Sequence, residues 1–330
     1  MKKRLNIFSV LTMMVLILAA CGGNEVGTNT SSEGNAEGKL VIGFSQPTLE
    51  SPFYTALVEG AKEEASKLGA ELIVVDAQND IEKQNSDIQS LITKGIDVLL
   101  INPVNPSGVA PSLKAAEQAN IPVIAVDRNT KQEVASYIGR DNEEMGREAG
   151  KKAVELLGGE GKATGKIIEI QGDAGGTVMQ ARHDGFHEIV EKESGIEIIE
   201  GPYSNYIRAE AVSAMQDLLQ AHSDVNLVYA HNDDMALGAI QVLEKSGKLQ
   251  DVSIVGIDGL MEAIKQIKAG KFKATVINDP ISLGVLSIQT AVKIGKGETV
   301  EKYVDGGTGL IDETNVDQYL DETKKFAEIK

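Results

Sequence analysis

From Lys39 onward the chain repeats one unit: a short apolar run, a polar residue, then an amphipathic stretch that stops at glycine. Apolar runs at 40–42, 72–75, 98–101 and 123–126 alternate with helical patterns. These begin at Ser51-Pro52, run over 80–94 and run over 105–119. Ser51 suits an N-cap, Pro52 the first helical position, and Gly69 and Gly95 the stops. The pattern restarts with a helix over 142–157. Runs follow at 166–170, 197–199, 227–229, 253–257 and 274–277, each leading into a helical stretch. Continuous apolar runs of four or five residues between helices predict parallel strands buried on both faces, joined by right-handed crossovers. Two series of this unit predict an α/β protein of two doubly wound lobes. The last helix, around 283–294, fits either lobe by pattern alone.

The residues before Lys39 belong to something else. Lys2, Lys3 and Arg4 precede an apolar run over 7–18, too short to span about 30 Å of hydrocarbon but suited to a signal peptide. It ends in Leu18-Ala19-Ala20-Cys21, which resembles the lipobox of bacterial lipoproteins; in that family the cysteine takes a diacylglycerol with palmitate-type chains and becomes the new N-terminus. Cys21 is the one cysteine in the chain, so no disulfide can staple the fold. Residues 22–38 are Gly, Asn, Ser, Thr and Glu with almost nothing apolar, a flexible tether whose coil spans roughly 20–25 Å. The expectation is a signal peptide at 1–20, a lipid-anchored Cys21 with a tether to 38, and a globular body held off the outer face of a cell membrane of Gram-positive type.

The formal net charge of −17, which loss of the three leader cations takes to −20, disfavours a nucleic-acid partner. Ligands of open α/β sheets bind beyond the carboxyl ends of strands, so the first polar residues after each run are the candidates. They are Ser45, Asp76, Asn102, Asp127 and Arg128, then Gln171, Tyr203, Asn232, Asp233, Asp258 and Asn278. Each also makes good loop chemistry, but together Asn, Asp and Arg offer the planar donors and acceptors that match vicinal hydroxyls. Phe53, Tyr54, Tyr203 and Tyr206 stand in or near strand-end loops, where a ring can stack on the C–H face of a sugar. If Asp127, Asp258, Arg128 and Arg182 line one cleft their charges cancel, which favours a neutral polyhydroxy ligand.

Ile101-Asn102-Pro103, the stretch 119–128, His231-Asn232-Asp233-Asp234-Met235-Ala236-Leu237-Gly238-Ala239 and Val255-Gly256-Ile257-Asp258-Gly259 resemble the ribose-binding branch of bacterial solute-binding proteins, the sugar receptors of ABC importers. The likeness runs from about 39 to 305. It implies the type I periplasmic binding protein fold, two Rossmann-like lobes joined by a three-crossing hinge that close on a sugar. The N-terminal lobe would comprise 39–141 plus 279–307, and the C-terminal lobe 142–278 plus 308–330. The resemblance implies sugar contacts at Phe53, Asn102, Asp127, Arg128, Arg182, Asn232 and Asp258. The pattern departs at Ser51 (usually Asn), Tyr54 and Tyr206 (Phe), Ile257 (an aromatic) and Asn278 (Gln). Tyr54, Tyr206 and Asn278 are still expected to face the ligand, and Ser51 either touches it or only caps a helix. The implied function is capture of a neutral monosaccharide or polyol, ribose-like or related, by a monomer that docks on an ABC permease through acidic or polar residues at the lobe tips.

Other readings find less support. Gly172-Asp173-Ala174-Gly175-Gly176 lacks the dinucleotide spacing and reads as a turn. His183, His187, His222 and His231 show no metal-ligand spacing, and Asp184 rather than Glu follows His183, so neither a metal nor a zinc hydrolase is expected. Neither a cysteine nucleophile in the body nor a Gly-x-Ser-x-Gly elbow is present, which argues against an enzyme, and no cofactor is called for. A sugar-responsive repressor would carry a DNA-binding helix pair where this chain has its leader and tether. A sensory ectodomain for a furanose signal would use the same cleft and stays open as the alternative to transport.

Overall fold

The computed structural model describes residues 38–329; the leader, Cys21 and the tether through residue 37 lie outside the described residues. In chain order the first series is β1 (Val41–Gln46), α1 (Pro52–Lys67), β2 (Glu71–Asp76), α2 (Ile81–Thr93), β3 (Val98–Ile101), α3 (Ala110–Gln118), β4 (Val123–Val126) and β5 (Ser136–Gly139). The second is α4 (Asn142–Leu156), β6 (Thr164–Gln171), α5 (Thr177–Val190), β7 (Gly195–Tyr203), α6 (Arg208–Ala221), β8 (Leu227–Ala230), α7 (Asp233–Ser246), β9 (Ser253–Asp258), α8 (Met261–Lys268) and β10 (Ala274–Ile277). Then come α9 (Pro280–Gly295), β11 (Tyr303–Asp305), β12 (Leu310–Asp312) and α10 (Val316–Tyr319).

Two six-stranded sheets result, in the orders β11-β5-β4-β3-β1-β2 and β12-β10-β9-β8-β6-β7. Every pairing is parallel except β12 against β10. Strand order reverses between β1 and β3 and between β6 and β8, the switch points where open α/β sheets bind ligands. β3, β4, β8 and β10 are buried at every residue, as continuous apolar runs under helices on both faces require. The chain passes from one sheet to the other after β5, after β10 and between β11 and β12. This is the type I periplasmic binding fold that the resemblance implies.

Buried Arg140 binds the three passages together. Its Nη1 donates to the carbonyls of Gly306 and Gly307, and its Nη2 donates to the Asp279 carbonyl and Ser282 Oγ, each at 2.7 Å. Helix α9, whose lobe pattern alone leaves open, packs on α1. A methyl group on Gly284 would strike the backbone carbonyl of Leu57.

Two local expectations need correction. The helix expected from 105 starts only at Ala110, because Asn105 Oδ1 accepts from the N–H groups of Ser107 (2.9 Å) and Gly108 (3.0 Å) and folds a turn first. Ser51 stands at the N-cap of α1, yet its side chain makes no capping hydrogen bond. By contrast Asp80 caps α2 by accepting from Lys83 N at 2.9 Å.

Candidate functional site

A cavity lies between the carboxyl ends of the two sheets. Ser51, Phe53 and Tyr54, which follow β1, and Asp127, which follows β4, line it from the first sheet. Val178 and Arg182 on α5, Tyr206, Asn232, Asp258 and Asn278 line it from the second. Two candidates stand one contact behind the wall. Asn102 Nδ2 donates to Asp127 Oδ2 and to Gln46 Oε1, each at 3.2 Å. Arg128 Nη2 donates to Tyr54 Oη at 2.6 Å, while its guanidinium lies 5.6 Å from the Tyr206 ring centre. Ile257 is core, Tyr203 is 48% exposed away from the cavity, and Asp233 is a buried strut for Thr275 Oγ1 and the Leu260 N–H.

The local fold fixes these side chains tightly. Helices α4 and α5 cross at Gly146 and Gly185; a methyl group on Gly185 would strike the Glu143 carbonyl, and one on Gly146 the Arg182 carbonyl. That close crossing sets Arg182, whose Nε donates to Asn142 Oδ1 at 2.9 Å and whose Nη1 donates to the His231 carbonyl. Its Nη2 then sits 3.6 Å from Asp258 Oδ1, and Asn278 Nδ2 donates to that same oxygen at 3.2 Å. Asn232 divides its work: Oδ1 caps α7 through Met235 N at 2.9 Å, while Nδ2 donates to the Tyr206 carbonyl at 3.3 Å. Asp127 (φ 63°), Tyr206 (φ 61°) and Asp258 (φ 132°) all hold backbone angles that side chains disfavour. Each such residue costs on the order of 1–3 kcal/mol, and such strain clusters at functional sites. Among the described residues the buried Tyr206 hydroxyl has no hydrogen-bond partner.

Electrostatics sharpen the sequence reading. Asp173 reaches across to Arg128 with 3.0 Å between Oδ2 and Nη1, so three carboxylates and two guanidiniums meet here, not two and two. Burial pushes Asp258 up to about 7 against the pull of Arg182 and the Asn278 hydrogen bond. It also raises Asp127, against Arg128, Arg182 and the hydrogen bond from Asn102. A carboxyl that keeps its proton part of the time returns the cluster toward neutrality.

Several participants were not legible. In the sequence Asp173 is one residue of a glycine-rich turn, and its partner Arg128 lies in the other lobe. Gly172 leaves room for the Tyr206 ring, which a methyl group there would strike. Phe326, from the C-terminal segment, meets Phe53 edge-on at 6.3 Å between centroids and at 89°. The histidines carry no metal-ligand spacing in the sequence, yet His183, His187 and His231 all surround the Glu169 carboxylate, outside the cavity. Glu169 lies on β6, 14 residues before His183, a separation that no linear motif marks.

Comparison with known proteins agrees with this architecture. The periplasmic binding protein domain matches residues 42–299. Ribose import binding protein RbsB of Bacillus subtilis is 34% identical over 305 residues, covering 92% of this chain and 97% of its own length. RbsB of Escherichia coli is 40% identical over 277 residues, covering 84% and 92%. The crystal structure of an ABC transporter solute binding protein from Mycobacterium smegmatis with bound glycerol is 54% identical. It superposes with a TM-score of 0.85 and covers 88% of this chain and 100% of that one. With strand order, interlobe cleft and sequence in agreement, this chain belongs to the periplasmic binding protein family.

Proposed function

We propose that this protein is the sugar-binding component of an ABC importer, capturing a neutral monosaccharide or polyol between its lobes and delivering it to a membrane permease. The observation that carries this reading is the cavity wall. Asp127 from one lobe faces Arg182, Asp258, Asn232 and Asn278 from the other, with Phe53, Tyr54 and Tyr206 supplying rings. Carboxylates accept from sugar hydroxyls, Arg and Asn donate to them, and rings cover the C–H faces. The mixed charge binds hydroxyls without demanding a charged ligand. Closure draws its free energy from contacts that form only when both lobes reach the ligand.

The lobes are taken as 39–141 plus 279–307 and 142–278 plus 308–330, hinged at the passages that Arg140 ties. Under this reading Cys21 carries the lipid anchor, the body works as a monomer on the outer face of the membrane, and the permease contacts the lobe tips. The lipobox-like 18–21 and the polar tether support this part. Among the described residues no helix is long and apolar enough to cross a membrane. A thermal-shift screen of pentoses, hexoses and polyols tests the ligand class. Ligand at a hundredfold over its Kd stabilises the fold by roughly 2.7 kcal/mol. Labelling with radioactive palmitate, lost on Cys21→Ser, tests the anchor.

A further inference from the structure

We propose that Glu169, His183 and His187 form a binding site for a divalent transition-metal ion of the Zn²⁺ class, on the second lobe and outside the sugar cleft. The ligand atoms already stand together. Glu169 Oε2 lies 3.1 Å from His187 Nε2 and 3.2 Å from His183 Nδ1, and one ligand atom from each residue falls within 4.8 Å of the others. An ion bonded tetrahedrally at about 2.0–2.1 Å spaces its ligand atoms by roughly 3.3 Å. Two edges of that tetrahedron are therefore present to within a few tenths of an ångström.

The surroundings orient these groups as a metal site requires. His231 Nε2 donates to the other carboxylate oxygen, Oε1, at 2.7 Å, while the Gly172 N–H donates to His231 Nδ1 at 3.4 Å. That pair fixes the neutral ring with its proton on Nε2, while Oε2 faces His187 and both carboxylate oxygens face His183, Oε1 at 3.1 Å and Oε2 at 3.2 Å. His187 Nδ1 pairs with Glu191 Oε1 at 2.9 Å, the outer carboxylate that commonly holds a ligating imidazole in place. The Glu169 side chain is 0% exposed, whereas His183 and His187 keep 20% and 12% exposure. The cluster thus has a buried anchor and an open side, which gives an ion a path in and leaves a fourth position for water.

Charge favours occupancy. A fully buried carboxylate needs compensating positive charge, which the neighbouring imidazoles supply when they are protonated. A divalent ion takes over that compensation, displacing the protons from its ligands. It would also pin α5 to β6 at the residue next to Arg182.

The test uses the full chain without an affinity tag, stripped with EDTA, and Zn²⁺ alone as the probe. Titration calorimetry should show one ion per chain. His183→Gln combined with His187→Gln should weaken binding at least tenfold, and Glu191→Gln roughly tenfold. His222→Gln, at the one histidine outside the cluster, should bind as wild type does. Sugar-induced stabilisation, retained in the double variant, shows that it is folded. Should the double variant fail to fold, Co²⁺ added to the wild-type chain decides, because a tetrahedral site gives intense visible d–d bands. Absence of saturable Zn²⁺ binding, unchanged affinity in a folded double variant, or Co²⁺ without those bands would overturn the site.

Discussion

Arg128, which follows β4 in the first lobe, and Asp173, which follows β6 in the second, meet across the cleft with 3.0 Å between Nη1 and Oδ2. Arg128 is buried, and its Nη2 also donates to Tyr54 Oη, so the clamp and the cavity wall share one guanidinium. Asp173→Asn keeps the shape and removes the charge that helps hold the lobes together. We expect it to weaken ligand binding about tenfold, which corresponds to about 1.4 kcal/mol, and to shift the apo ensemble toward open forms. Calorimetry and the radius of gyration from small-angle scattering check both effects.

Ser51 gives a cleaner case. Its side chain lines the cavity and does not cap α1. Ser51→Ala should leave the apo melt within about 0.5 kcal/mol of wild type, because the hydroxyl makes no capping hydrogen bond for the change to remove. Ligand affinity should fall about fivefold, the loss of one hydrogen bond of about 1 kcal/mol. An apo loss of about 1 kcal/mol with unchanged affinity would return the residue to a capping role.

Asp258 makes binding depend on pH. Burial raises its folded pKa to about 7. A raised carboxyl pKa means that the folded apo protein holds the proton more tightly than the unfolded chain. Its contribution to apo stability is therefore full below about pH 4 and lost as pH rises through about 7. Ligand hydroxyls donate to the ionised form, so affinity should fall as pH drops from 8 to 6, by at most about tenfold per unit. Calorimetry at both pH values measures this slope, and Asp258→Asn should flatten it while lowering affinity throughout.

The crossing of α4 and α5 should be intolerant of added bulk. Gly185→Ala places a methyl group against the Glu143 carbonyl. We expect a loss of about 1–3 kcal/mol in apo stability, with an added loss of ligand affinity because Arg182 sits one turn away. Chemical denaturation and calorimetry separate the two.

How much of this was legible follows from whether a signal is local. Apolar runs such as 98–101 and 274–277 announce buried parallel strands in their own composition, and strand-end residues such as Asp127 and Asp258 announce the cleft. Strands β5, β11 and β12 are three or four residues long and carry no period, so pattern alone passes over them. Arg140 is an ordinary surface residue in sequence, and only the meeting of three chain passages makes it a buried staple. Asp173 and Phe326 fail for the same reason, since each takes its meaning from a partner more than forty residues away. The histidine cluster was missed because its anchor, Glu169, sits inside an apolar strand where a buried carboxylate is not expected.

The proposed role requires the cavity to hold a neutral polyhydroxy ligand between the lobes. Titration calorimetry of wild type and Arg182→Ala against the best sugar or polyol from the thermal-shift screen tests it most directly. We expect saturable one-to-one binding by the wild type and none detectable by the variant, with the variant's scattering profile still that of a folded two-lobed protein. No binding of any pentose, hexose or polyol by the wild type, or undiminished binding by folded Arg182→Ala, would contradict it.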